Sequence, residues 1–266
     1  EELAPFQYLR TDGIFGVPLG VSASFIFLFV LFGAILSVTG AGQFFIDLSL
    51  ALTGRSQGGP GKAAVVASGL MGTVSGSSVA NAVTTGAFTI PLMKKAGYTS
   101  NFAGAVVAAS STGGQVMPPV MGAAAFIMAQ FLGISYWDIV VAAALPATLY
   151  FISIIAMVHF RAGKRGIQSL TEETAPKVGK VLKEGWHLLL PIITLVIFLA
   201  MGYSAVKAVF WSIVLMVGVS WMGKPEYRMT PKRLLDALIA GGMGAVEVAA
   251  ACACSGLVIG VIGITG

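Results

Sequence analysis

The sequence predicts an all-α polytopic membrane protein built around a re-entrant helical hairpin and a broken transmembrane helix. Three observations carry that expectation. Of 266 residues, 56% are apolar and only 10% charged, with a mean hydropathy of +0.89; soluble domains carry about 25% charged residues. The charges, net +5, lie mostly in short segments between apolar runs, so they are a topology signal rather than a nucleic-acid footprint. Finally, polar small-residue segments interrupt two apolar runs, at residues 73–81 and 110–119. Broken backbone at membrane depth is tolerated only where it is packed in protein or lines a wet cavity, and paired interruptions point to a transporter's binding site.

Residues 1–13 are polar, with Glu1, Glu2 and Asp12 against Arg10. Residues 20–40 form an apolar run of roughly 20 residues, enough for one span. Residues 42–52 set Phe44, Phe45, Leu48 and Leu52 against Gln43 and Asp47 at helical spacing, which reads as an interfacial amphipathic helix. Together these make an N-terminal scaffold unit, residues 1–55.

The next unit, residues 56–135, holds the two interruptions. Arg55 and Lys62 flank a Gly/Pro-rich linker, and the following charges are Lys94 and Lys95. The positive-inside rule puts both basic flanks on the cytoplasmic side. Only 31 residues, 63–93, separate them: too many for one straight span and too few for two, which need about 40. A hairpin with its tip at residues 75–78 satisfies both limits. Residues 101–132 are again apolar, but Gly113-Gly114 and Pro118-Pro119 cannot continue a regular helix without losing hydrogen bonds, so two half-helices joined by an unwound segment are expected.

Residues 136–230 carry spans at 139–160, 187–202 and 205–222, separated by a basic loop at 161–186 and followed by a second at 224–233. Residues 231–266 begin a further membrane helix with a Gly-rich start. Both ends of the chain read as cut within a longer protein.

The hairpin brings two helix ends together near the bilayer midplane. The positive end of the second leg suits an anion such as a carboxylate. Carbonyls at the end of the first leg, with Ser and Thr hydroxyls, suit a small hard cation. The expected Na⁺ ligands are Ser75, Gly76 and Ser77 at the tip and Ser111, Thr112, Gly113 and Gly114 at the break; Ser77, Ser78, Asn81 and Gln115 are the expected substrate-binding residues. Close helix packing alone would explain scattered small residues, but not Asn81, Gln115 and a Pro-Pro pair inside spans. Glu247 is an acid within an apolar run, a candidate for proton or ion coupling. His159 and His187 read as interfacial, and Trp137, Trp186, Trp211 and Trp221 mostly mark span ends. Cys252 and Cys254, two apart on an apolar run, read as small buried residues rather than a disulfide or metal pair.

Enzyme readings are weak. Gly76-Ser77-Ser78-Val79-Ala80 falls short of the G-x-S-x-G elbow, and Gly58-Gly59-Pro60-Gly61-Lys62 lacks the P-loop spacing and the following Ser/Thr. A passive anion channel or pore, and less readily a membrane-embedded serine enzyme, stand as alternatives to a transporter.

The run from Ser75 through Asn81 and Pro91 to Tyr98, followed by Ser111-Thr112-Gly113-Gly114-Gln115 and Pro118-Pro119 on to Met128, closely resembles the large membrane subunit of TRAP (tripartite ATP-independent periplasmic) transporters. It is most similar to the TAXI-type permeases, in which small and large membrane parts are commonly fused. The resemblance covers most of residues 13–160 and, more loosely, 231–266. It implies an elevator-type, inverted-repeat architecture of which this chain holds the first repeat and the start of the second. It also implies Na⁺-coupled, or in some members H⁺-coupled, uptake of an organic acid across the bacterial inner membrane. The implied partners are a periplasmic substrate-binding protein, a small membrane subunit or fused equivalent, and the remaining half of the second repeat. Val107 departs from the TAXI pattern, where an acid often stands.

Overall fold

The computed structural model describes residues 13–167, 169, 176–223 and 227–265. The polar stretch 1–12, part of the first basic loop, Lys224 of the second and the final Gly266 lie outside the described residues. Every regular element within them is a helix: α1 Val17–Val38, α2 Ala41–Thr53, α3 Gly59–Ser75, α4 Ser78–Lys95, α5 Ser100–Gly113, α6 Ala123–Leu132, α7 Tyr136–Arg165, α8 Val178–Gly185, α9 Leu190–Ala200, α10 Ala205–Val219 and α11 Pro231–Thr265. A π-helical turn, Ser22–Ile26, lies within α1. Five helical stretches are long and apolar enough to cross a membrane: α1, α7, Val178–Ala200, Ala205–Met222 and Pro231–Gly263. Neither α3 nor α4 is among them.

These two helices form the expected hairpin. Asn81 Nδ2 donates to the Ser68 carbonyl at 2.8 Å, and the Ser68 and Thr85 hydroxyls meet at 3.2 Å, so the legs run antiparallel. Their outer ends adjoin as well: the Tyr98 hydroxyl, just beyond α4, donates to the Gly58 carbonyl just before α3, at 3.2 Å. Burial pushes the Tyr98 pKa up to about 12, so this phenol remains a donor throughout the physiological range.

α5 runs back alongside α3 in the same direction. The two touch through backbone where Gly72 faces Gly114; a Cβ on Gly72 would lie 2.5 Å from the Gly114 Cα. α7 is antiparallel to α3, with Phe151 over Gly69, Val158 over Gly61 and Ala162 over Gly58. This register gathers Lys62, Lys94, Lys95, Lys164 and Arg165 at one end of the bundle. α11 lies antiparallel along α1, with Gly241 against Leu31 and Ala34, and Gly244 against Val30. Glycines at these crossings let backbones approach closely, as expected where dispersion contacts rather than water expulsion drive helix association.

Two boundaries differ from the sequence expectation. The stretch 161–186 is not simply a loop. α7 extends to Arg165, and α8 continues through a 3₁₀ turn, Trp186–Leu189, into α9. Val178, Val181, Leu182 and Gly185 recur at i, i+3, i+4 and i+7, a helical face that the density of lysines obscures. The break after α5 also begins later than expected: Ser111, Thr112 and Gly113 belong to the last turn of α5. Turn bonds of i→i+3 type then carry the chain on, Gly114 N to Ser111 O and Gln115 N to Thr112 O, both at 3.1 Å.

Gly72→Ala is expected to lower stability by about 1–3 kcal/mol, the cost of overpacking a tight contact. Gly104→Ala, where nothing lies within 4 Å of the added carbon, should be neutral or slightly stabilising. Thermal melts of the two purified variants in detergent compare them directly.

Candidate binding site at the hairpin tip

α3 stops because Gly76 adopts a left-handed conformation, φ 59°, which glycine adopts without steric cost. Ser77 then turns extended and caps α4, its Oγ accepting the Ala80 N–H at 3.3 Å. A side chain on Gly76 would overlap the carbonyl oxygen of Met121, so the tip presses bare backbone against the segment joining α5 to α6. Met121 itself is buried at φ 54°, a strained value for a non-glycine residue of the kind that clusters at functional sites.

The joining segment, residues 114–122, keeps its polar groups satisfied by several devices. Gly122 N–H closes the loop onto the Gln115 carbonyl at 2.7 Å. The Tyr136 hydroxyl sits between the carbonyls of Val120, at 2.6 Å, and Pro119, at 2.9 Å, and donates to them. The Tyr136 ring stacks on Phe126 with centroids 4.3 Å apart, and Phe29 of α1 lies 4.6 Å from Phe126. Tyr150 lies over Gly113 and donates to the Ala109 carbonyl at 2.8 Å.

A cavity of about 210 Å³ opens beside the tip. Ser75, Gly76 and Ser77 line one side, Met121 and Gly122 another. α1 contributes Gly33 and Ser37, and α11 contributes Glu247, which stands about 24 Å along its helix from Pro231. Among the described residues no other ionisable side chain lines this space. The carboxyl end of α3 and the amino end of α4 both point into the tip, so partial charges of both signs meet there.

The expected site residues therefore fall into groups. Ser75, Gly76, Ser77 and Glu247 share the cavity. Gln115 Nε2 donates to Ser78 Oγ at 3.1 Å, joining the break to the second leg. Asn81 is fully buried, with its amide committed to the hairpin through Ser68 and its Nδ2 beside Gly114. Thr112 is exposed, and its hydroxyl back-bonds to the Ala108 carbonyl at 2.9 Å. Ser111 is different: its Oγ is buried and has no hydrogen-bond partner, one turn before the Gly72–Gly114 approach. An unmet hydroxyl in such a place costs about 1–3 kcal/mol, and hydroxyl and carbonyl oxygens are the donor set that a small hard cation takes. Among the described residues no cluster of three or more His, Cys, Asp or Glu stands ready for a transition metal. Gly33, Ser37, Met121 and Tyr136 were not marked by sequence reasoning; Gly33, the glycine deep within the apolar span, was the available signal for α1, since it meets the backbone of Val74 and Ser75.

The family comparison fits this geometry. Residues 6–266 match the DctM component of the tripartite ATP-independent periplasmic transporters. The chain belongs to the DctM family. It is 30% identical over 219 residues to the uncharacterized protein y4mL of Sinorhizobium fredii, covering 81% of this chain and 51% of that protein. It is 27% identical to the 2,3-diketo-L-gulonate TRAP transporter large permease protein YiaN of Escherichia coli, over 62% of this chain and 39% of that one. It is 31% identical to the sialic acid TRAP transporter large permease protein SiaM of Vibrio cholerae, over 62% of this chain and 38% of that one. The chain thus spans about half or less of the curated relatives it matches. The DctM family is one of transporter permeases rather than enzymes, and this member is a multi-pass membrane protein.

Asn81→Ala should cost about 1 kcal/mol, because it removes the buried hydrogen bond that ties the second leg to the Ser68 carbonyl of the first. Gln115→Ala, at an exposed position, should leave the melting temperature within about 0.5 kcal/mol equivalent of the parent. Parallel melts of both variants would show whether Asn81 is the structural member of the pair.

Proposed function

We propose that this chain forms part of a permease that imports an organic acid across the bacterial inner membrane, driven by Na⁺. The observation that carries the proposal is the meeting of two opposed helix ends with a second stretch of non-helical backbone, beside a buried serine hydroxyl that has no partner. Such broken-helix constellations serve both a cation, through carbonyls and hydroxyls, and a carboxylate, through N–H groups at a helix start.

In this reading Ser75, Gly76 and Ser77 supply the tip's share of the Na⁺ ligands and Ser111 that of α5, with the carbonyls of Gly113 and Gly114 nearby. Thr112 contributes through its carbonyl, because its hydroxyl is turned back along α5. Ser77, Ser78 and Gln115 hold the substrate, and Asn81 keeps the two legs in register beneath them. Glu247, facing the tip from α11, is the group that would bind a proton or cation in an H⁺-coupled variant of the cycle. The names of YiaN and SiaM, a diketogulonate and a sialic acid permease, support an organic acid as the substrate class. The partners are a periplasmic substrate-binding protein, a small membrane subunit or its fused equivalent, and the rest of the second repeat. An elevator-like movement of the α3–α6 unit against α1 and α11, and the TAXI-type assignment, rest on the motif resemblance.

The test uses the full-length permease with its binding protein in proteoliposomes. Ser111→Ala and Ser77→Ala should each raise the half-saturating Na⁺ concentration about tenfold, the equivalent of roughly 1.4 kcal/mol, while the fold survives. Unchanged Na⁺ dependence in both variants would remove the proposed cation site, and uptake that never exceeds the substrate gradient would favour a passive pore.

A further inference from the structure

Tyr150 of α7 meets α5 at two points that bracket Ser111. Its hydroxyl donates to the Ala109 carbonyl at 2.8 Å, two residues before Ser111. Its ring covers Gly113, two residues after, and a Cβ on Gly113 would overlap that ring. Phe151 meets the Tyr150 ring edge-on, with centroids 5.8 Å apart. It also packs on Gly69 of α3, where an added Cβ would lie 3.3 Å from its ring. This aromatic pair therefore joins α7 to both α3 and α5, within one turn of the Gly72–Gly114 approach.

The two glycines of the break thus serve different neighbours. Gly114 is crowded by the Gly72 Cα and Asn81 Nδ2, and Gly113 by Tyr150. Between the two Tyr150 contacts lies the turn in which the ordinary ladder of α5 gives out. Beyond it the chain bonds i→i+3, Gly114 N to Ser111 O and Gln115 N to Thr112 O, and the last carbonyls of a helix have no i+4 partner within it. The same turn holds Ser111 Oγ, buried and without a hydrogen-bond partner. Ligands drawn from a helix end bind an ion well only when held to within about 0.5 Å of the productive geometry. We infer that Tyr150 is a positioning residue for cation binding, a role that rests on the Na⁺ reading of the tip and the break. Its hydroxyl hydrogen is committed to Ala109, so it acts through the turn rather than as a ligand. It pins the Ser111–Gly113 turn through the Ala109 carbonyl at one end and the bare Gly113 at the other, and so keeps the hydroxyl and carbonyl oxygens where an ion would meet them.

Tyr150 is 38% exposed, and without its hydroxyl the Ala109 carbonyl keeps its donor at i+4 within α5, so Tyr150→Phe should leave the fold intact. The test is equilibrium binding of radioactive Na⁺ alone to the purified full-length protein, with choline chloride holding the ionic strength constant. Tyr150→Phe keeps the ring over Gly113 and should raise the half-saturating Na⁺ concentration about threefold, the loss of one hydrogen bond. Tyr150→Ala removes both contacts and should raise it about tenfold. In both variants the number of Na⁺ ions bound per protein at saturation should stay that of the parent. A residue with a merely structural role would lower that number and leave the midpoint where it is, and that result would overturn the positioning role. Ser111→Ala, measured alongside, separates the two readings. Weaker Na⁺ binding in Ser111→Ala beside two unchanged Tyr150 variants overturns the role of Tyr150 and leaves the cation site standing. Absence of Na⁺ binding by the parent protein overturns both.

Discussion

The structure depends on one contact between two pieces of bare backbone, Gly76 at the hairpin tip against the carbonyl of Met121. Gly76 has no side chain to soften the approach, and Met121 meets it with its carbonyl oxygen. In a low-dielectric interior, backbone groups released from a helix must be met by something. Here the fold meets them by pressing one break against another and by recruiting distant side chains. Gly76 takes the left-handed turn, and Met121 holds a strained backbone angle in order to face it.

Side-chain polarity does the rest of the holding. Asn81, Ser68 and Thr85 staple the two legs near their midpoint, and Tyr98 closes their outer ends. Tyr136 reaches from α7 to the carbonyls of the broken segment, while Tyr150 fixes the end of α5. Asn81, Ser68, Thr85, Tyr98 and Tyr136 are buried, so their polar groups would be costly if left unmet. Within lipid, association gains little from hiding apolar area, so packing through glycine and buried hydrogen bonds sets the register. The Gly72–Gly114 approach and the glycines of α11 against α1 serve the first need, and the staples serve the second.

The same arrangement gathers polar groups at the tip. Helix ends of opposite polarity meet at the tip, a buried serine hydroxyl on α5 lacks a partner, and a cavity separates the tip from Glu247. Membership of the DctM family places this geometry within a group of membrane permeases, of whose curated members the chain spans about half. The acid on α11 and the oxygen-rich tip line the same cavity, where α1 packs directly on the hairpin and on α6.

Charge placement and length alone settled that the stretch between Lys62 and Lys94 folds back on itself, because 31 residues cannot cross twice and the basic flanks demand a return. Glycine and proline pairs likewise announced the break before α6, since neither can sustain the helical hydrogen-bond ladder. The helical character of residues 178–185 was present as a 3.6-residue period but was masked by lysines. Only the tertiary structure could decide which polar residue serves the fold and which remains open. Asn81 and Ser111 look alike in sequence, as small polar groups in apolar surroundings. Asn81 finds a carbonyl on the opposite leg, thirteen residues away in sequence, whereas Ser111 finds none, and a hydrogen bond between distant segments is fixed by how helices cross, which no local spacing encodes.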